Sequence, residues 1–195
     1  MTLLRIVLII LLATGIGACG QQAPSGGAPT YAPPAPTAEP LPAVAPGGFG
    51  VTERAFAELS IACDDQAVKL LDLGAARASA PALRSYASAL AAARRAELAE
   101  LHGLLDAAAV TYVNQHEGHD MPGMPTESEL TALTALGKAT DFDATLVELI
   151  LAHLSESATV ADSAANQVTH PATKDLAQRM SAARAASLAE LNGLS

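Results

Sequence analysis

Residues 81–104, PALRSYASALAAARRAELAELHGL, return 90 positions later as residues 171–194, PATKDLAQRMSAARAASLAELNGL. Of the 24 aligned positions, 13 are identical. Alanine inflates that number, but alanine cannot place Pro81 on Pro171, Arg94 on Arg184, Glu100 on Glu190 and Gly103 on Gly193. The same offset extends the alignment upstream without a gap. It carries residues 56–80 onto 146–170, more weakly, through Glu58/Glu148, Leu59/Leu149, Ala62/Ala152 and Asp72/Asp162. A repeat of this length is one supersecondary unit that buries its apolar face only against a second copy.

Each unit reads as a helical hairpin. Thr52 is a plausible N-cap for the first helix, whose stripe is Phe56, Leu59, Cys63 and Leu70. Pro81 suits the first turn of the second, which carries Leu83, Tyr86, Leu90, Leu98, Leu101 and Leu105. Thr140 or Asp141 would cap a third helix bearing Leu146, Leu149, Ile150, His153 and Val160. Pro171 opens the last, with Leu176, Met180, Leu188 and Leu191. The expected fold is an all-α four-helix bundle spanning residues 51–195. Repeat 1 covers about 52–105 and repeat 2 about 141–194. A connector at 106–125 and a short helix from Glu127 to Leu136, capped by Thr126, join them.

The composition agrees. The chain has 195 residues, half of them apolar, with no Trp and three each of Phe and Tyr. Alanine and leucine favour helix over sheet. Lys plus Arg total 11 against 20 Asp plus Glu, a formal net charge of −9. An acidic chain so poor in lysine and aromatics excludes nucleic acid as a partner, because that binding runs on phosphate neutralisation and base stacking.

The N-terminus reads as an address. Arg5 supplies a positive region and Ile6–Leu12 an apolar core, followed by the small residues to Ala18. The stretch is too short for a permanent span of about 30 Å of hydrocarbon. It ends Ile16-Gly17-Ala18-Cys19, which resembles the lipobox of bacterial lipoproteins. That resemblance implies a signal peptide over 1–18, cleavage before Cys19 and its diacylation. Two acyl chains would hold the protein firmly in the lipid bilayer, at the extracytoplasmic face of the cell membrane. Loss of Arg5 takes the charge to 10 − 20 = −10, and Cys63 becomes the only unmodified thiol. Residues 19–50 hold eight of the twelve prolines and one charged side chain, Glu39. They form a Pro/Ala/Gly tether reaching up to roughly 90 Å.

Three places could carry chemistry. The connector reads His116-Glu117-Gly118-His119-Asp120-Met121-Pro122-Gly123-Met124. Thioethers suit Cu(I) or Ag(I), and imidazole suits either copper state. Two readings stand: a soft-metal loop, or a solvated loop whose methionines cap the bundle. The second place is Cys63 with His153, equivalent positions on the inward stripes that a pseudo-twofold bundle brings toward its axis. They are either the start of a Zn or Cu site or a small buried Cys and a hydrogen-bonded core His. Asp64 and Asp65 could add oxygen ligands to such a site, though they are expected to point off that stripe. The third is Glu58 with Glu148. A di-iron bundle needs two Glu and two Glu-x-x-His motifs, and no Glu-x-x-His occurs. Arg94, Arg95 and Arg184, with Glu97, Glu100 and Glu190, read as solvated helix faces. His102 and His170 read as surface residues. No phosphate loop, Ser-His-Asp order or H-E-x-x-H is present, so the expectation is a protein that is not an enzyme.

The helical domain resembles the exported bacterial family called domain of unknown function 305. Its repeats read F-A-x-M-M-I-P-H-H-x-Q-A-V, here Phe56-Ala57-Glu58-Leu59-Ser60-Ile61-Ala62-Cys63-Asp64-Asp65-Gln66-Ala67-Val68. The family's H-D-M-P-G-M stands intact as His119–Met124 and its F-D as Phe142-Asp143. The resemblance covers about 56–194. It implies a ferritin-like fold of duplicated hairpins and, from members associated with copper or silver, a metal-binding role. Only His119, Met121, Met124 and His153 carry over. The first His-His pair is Cys63-Asp64 and the second His153-Leu154, while family methionines are replaced at Leu59, Ser60, Ile150 and Val160. The expected function is therefore copper binding or buffering, as Cu(I), at the cell envelope, drawn from His116, His119, Met121, Met124, His153 and Cys63. The alternative is a non-catalytic interaction or structural protein, its protein partner unidentified, that kept the bundle and lost the metal.

Overall fold

The computed structural model describes residues 47–194. The expected signal peptide, Cys19 and nearly all of the expected tether lie outside the described residues. Five helices follow in order: α1 (Val51–Arg77), α2 (Pro81–Ala107), α3 (Glu127–Ala135), α4 (Ala139–Gln167) and α5 (Pro171–Asn192). No strand occurs among the described residues, and the domain is an all-α bundle. α1 pairs with α2 and α4 with α5, as the repeat requires, and α1 against α4 is the main contact between the hairpins. Pro81 and Pro171 both stand at the first helical position, where a missing N–H costs nothing. Thr126 caps α3 with Glu129 reaching back to its N–H, a capping box.

Two caps differ from expectation. α1 begins two residues early, with Gly50 at the N-cap in place of Thr52. Its N–H donates to Glu53 Oε2 at 3.0 Å, so a side chain from the first turn satisfies the N-cap N–H where glycine offers no hydroxyl. α4 begins at Ala139, ahead of Thr140 and Asp141, with Lys138 at its N-cap.

The carboxylates at these two starts tie the hairpins together. Glu53 Oε1 accepts the N–H of Thr169 at 2.8 Å and of His170 at 3.2 Å, in the α4–α5 turn. Asp143 accepts the N–H of Ser79 at 2.8 Å and of Ala80 at 3.0 Å, in the α1–α2 turn. Glu53 and Asp143 are 90 residues apart, and so are Ser79 and Thr169. Each hairpin therefore caps the turn of the other, as a pseudo-twofold axis demands. The exchange satisfies backbone N–H groups that helix starts leave without intrahelical partners.

The core has two apolar parts. One contains Leu70, Leu71, Leu83, Tyr86, Leu133, Phe142, Leu146 and Ile150. The other contains Phe56, Ile61, Leu101, Leu105, Ala161, Leu176 and Met180. Along α1, α2 and α5 the residues between these parts are polar and buried: Asp64, Arg94, Glu97 and Arg184. His153 on α4 joins them.

Candidate functional site

The connector doubles back along the bundle. A turn closes with the His119 N–H on His116 O at 3.0 Å, and a second with the Met124 N–H on Met121 O at 3.0 Å. Gly118 and Gly123 sit at φ +75° and +72°, a region open to glycine and strained for other residues. Gly123 is also a close approach. A Cβ there would lie 2.5 Å from Glu156 Cβ and 3.0 Å from Ala152 O. The loop is pressed onto α4 at this residue.

The six expected metal ligands divide into three groups. His116 and His119 lie on the outside, where they line a cavity of about 430 Å³ with Glu117, Asp120, Glu127 and Glu129. His119 is exposed and His116 half-buried. Met121 and Met124 turn inward. Met124 packs with Cys63 and Ala62 in one small cluster, and Met121 and Leu59 pack against it. Three sulfur side chains thus gather under the loop. Burial, reinforced by the neighbouring Asp64 carboxylate, pushes the Cys63 thiol up to about 12. At neutral pH it therefore stays a thiol.

His153 belongs to the third group. It is 1% exposed, and its Nδ1 lies 3.1 Å from Gly123 O. A carbonyl only accepts, so Nδ1 carries the proton. Nε2 then faces Asp64 Oδ1 at 3.7 Å, without a hydrogen-bond partner. Burial holds His153 below its ordinary value, against the pull of Asp64. Burial likewise pushes Asp64 up, against the charges of His153 and Arg94. The expected core position of His153 is found, and the group it meets is Asp64, the residue beside Cys63.

Asp64 does not point off the stripe; it is 1% exposed. The two repeated arginines are not on solvated faces either. Arg184 is 0% and Arg94 1% exposed. Arg184 Nη1 donates to Glu97 Oε1 and Oε2 at 2.8 and 2.6 Å, Nη2 to Asp64 Oδ1 at 3.0 Å, and Nε to Ser157 Oγ at 2.9 Å. Arg94 Nη1 lies 2.9 Å from Glu97 Oε2. Burial and Asp64 push the Glu97 carboxyl up to about 8, against the pull of Arg94, while the guanidiniums within 2.9 Å favour its ionised form. When both are ionised, Asp64 and Glu97 cancel the charges of Arg94 and Arg184. The expectation of solvated faces holds for Arg95, Glu100 and Glu190, which are exposed. It fails for the others because helical charge spacing alone does not say which face turns inward. The available signal was the register of the repeat, which holds an Arg at both 94 and 184 among alanines.

The remaining candidates scatter. Glu58 is buried and accepts from Arg54 Nε at 2.9 Å, while Glu148 is exposed. Asp65 is exposed. His170 is half-buried at the N-cap of α5, accepting the Thr173 N–H. His102, also half-buried, stacks edge-on against Tyr112 at 5.4 Å. Among the described residues no group of three His, Cys, Asp or Glu side chains is preformed for a metal ion. The bundle core fails the fit for a paired-metal centre for a stated reason: its carboxylates are engaged by Arg94 and Arg184.

Comparison with known proteins bears on the fold and the family. The family model "Domain of unknown function (DUF305)" matches residues 53–195. A DUF305 protein from Streptomyces coelicolor, described as secreted, superposes with a TM-score of 0.66 at 22% identity, covering 73% of this chain and 91% of its own. A DUF305 fragment from Deinococcus radiodurans gives a TM-score of 0.66 at 16% identity, covering 74% and 95%. At these identities the two structures show a shared fold. No curated protein matches the chain. The family match takes in every helix of the bundle, both members of the Glu53/Asp143 exchange and the whole His119–Met124 loop: the chain belongs to the DUF305 family.

Proposed function

We propose that this protein is a non-catalytic, extracytoplasmic binding protein for a soft monovalent metal, with Cu(I) as the first candidate. It is held at the membrane through acylated Cys19. The observation that carries the proposal is the gathering of Cys63, Met121 and Met124 under the loop. Thiolate and thioether are the donors that select Cu(I), and displacing the Cys63 proton would make binding pH-dependent. His116 and His119 stand at the mouth of the loop, where imidazole would take a metal of either copper state before transfer inward. The Streptomyces coelicolor relative, described as secreted, supports the location, and the Cys19 motif supports the anchor.

The test is Cu(I) competition against a chromophoric chelator, anaerobic and reduced, on the chain from Gly20 onward. One tight equivalent is expected. It weakens at least about tenfold in Met121→Leu/Met124→Leu and in Cys63→Ser. Equal affinity in the variants, or binding no tighter than that of a generic acidic protein, overturns the proposal. A second reading rests on the arginine-filled core: an envelope interaction protein that kept the bundle and closed its metal site. It predicts no tight equivalent at all.

A further inference from the structure

The polar layer has the anatomy of a cation site with a side chain seated in it. A metal-binding histidine usually donates its second N–H to a carbonyl or carboxylate, which fixes the tautomer and aims the free nitrogen. His153 does this through Nδ1 to Gly123 O at 3.1 Å. Its Nε2 is left facing Asp64 Oδ1 at 3.7 Å, with no donor between them. Asp64 Oδ2 also lacks a partner. Both residues are 1% exposed, and buried polar atoms without partners are rare in native cores. Glu97, from α2, joins Asp64 through the Arg184 guanidinium that both carboxylates hold. The one cation that meets both carboxylates is the Arg184 guanidinium, entering from α5 at 2.6 Å from Glu97 and 3.0 Å from Asp64.

We propose that Arg184 occupies the cation position of a divalent-metal site built from Asp64, Glu97 and His153, and that its presence keeps the bundle core closed to metal. The charges explain the closure. Asp64 and Glu97 balance Arg94 and Arg184, so a further dication would leave two uncompensated positive charges in a low-dielectric layer. Removing Arg184 reverses the balance. One negative charge is left over, and a guanidinium-sized space opens between two carboxylates and an imidazole, a donor set suited to Zn²⁺ or Co²⁺. These ligands are hard or borderline and those of the adjoining sulfur cluster are soft, so the two donor sets differ in the metal they select.

The test uses Co²⁺, whose visible ligand-field bands report coordination, on the chain from Gly20 onward. A Cys63→Ala background removes thiolate absorption. With Arg184 present, the Co²⁺ spectrum is expected to be the same in Asp64→Asn. In Arg184→Ala one equivalent of Co²⁺ should give new ligand-field bands. It should also raise Tm by about 5–10 °C at a hundredfold excess over Kd. Both effects should vanish in Arg184→Ala/Asp64→Asn. Arg184→Met, which keeps the apolar stem, repeats the measurement if the alanine variant folds poorly. Bands lost on Asp64→Asn while Arg184 is present would overturn the proposal. So would a folded Arg184 variant without bands. Failure of both variants to fold at saturating Co²⁺ would overturn it as well, because a cation bound there restores the missing charge.

Discussion

At the scale of single residues, the domain places its tightest constraints where the loop meets α4. Gly123 joins a positive φ to a Cβ position already filled by Glu156 and Ala152. Gly123→Ala is therefore expected to cost more than about 1 kcal/mol from backbone strain alone, with the clash added. It should also displace the carbonyl that holds His153 Nδ1. Urea denaturation measures the loss. The His153 imidazole resonances report the broken hydrogen bond, and an unchanged His153 environment would refute the coupling. Asp64→Asn has a different cause. It removes one partner of a buried ion pair and leaves Arg184 short of charge, at an expected cost of about 3–5 kcal/mol in the same denaturation assay. A loss under about 1 kcal/mol would mean that the layer contributes little to stability. Sequence reasoning reached His153, Met121 and Met124 through helical spacing and the loop motif, but it turned Asp64 off the inward stripe and Glu97 toward solvent. A carboxylate in an alanine-rich helix looks the same whether it faces water or an arginine on another helix, and only the third dimension separates the two cases.

The helices and their turns were the most legible part. The offset of 90 gave four helices, their pairing and both proline starts, because these depend on periodicity and on local chain chemistry. The exchanged caps lay beyond that reading. Glu53 and Asp143 fall just outside the stretch where the repeats visibly align, and their partners are 63 to 117 residues away in sequence. Their energetics carry a pH signature. Burial raises Asp143, but the Ser79 hydroxyl and the N–H groups of Ser79 and Ala80 outweigh it, and the net shift is below the ordinary 3.8. A carboxylate lowered on folding contributes stability that is complete above its unfolded value and is lost as pH falls through its folded value. Asp143→Asn should therefore destabilise by about 1 kcal/mol at pH 7, a figure already reduced for solvent screening. The difference should shrink below about pH 4 as the wild-type carboxylate itself protonates. Stability curves at pH 7 and pH 3 decide the matter, and a gap that is constant with pH would assign the effect to packing instead. Glu53 obeys the same sign. Burial is its largest influence and acts upward, yet its bonds to Thr169, His170 and Gly50 leave it lowered.

For the molecule as a whole, these features join the two hairpins into one cooperative body. The turn of each hairpin is capped by the other, and the polar layer takes residues from α1, α2, α4 and α5. Neither hairpin therefore has a complete set of partners alone. Cys63 makes this measurable, since it is the one free thiol among the described residues. It is 8% exposed, beneath Met124. Its thiol is pushed up to about 12 by burial, and only thiolate attacks a disulfide reagent. In the chain from Gly20 onward, labelling of Cys63 at pH 8 should proceed no faster than global unfolding, and its urea dependence should follow the helical circular-dichroism transition with one midpoint. A loop held only by its own turns would behave otherwise. It would expose Cys63 through local opening, with a labelling rate nearly independent of urea below the transition. That outcome would show that the sulfur cluster opens without the bundle, and so can admit a metal while the fold stays intact. The coincident outcome would make access to the cluster depend on the whole molecule, and Gly123→Ala, by loosening the loop where it meets α4, should then convert coincident labelling into local opening.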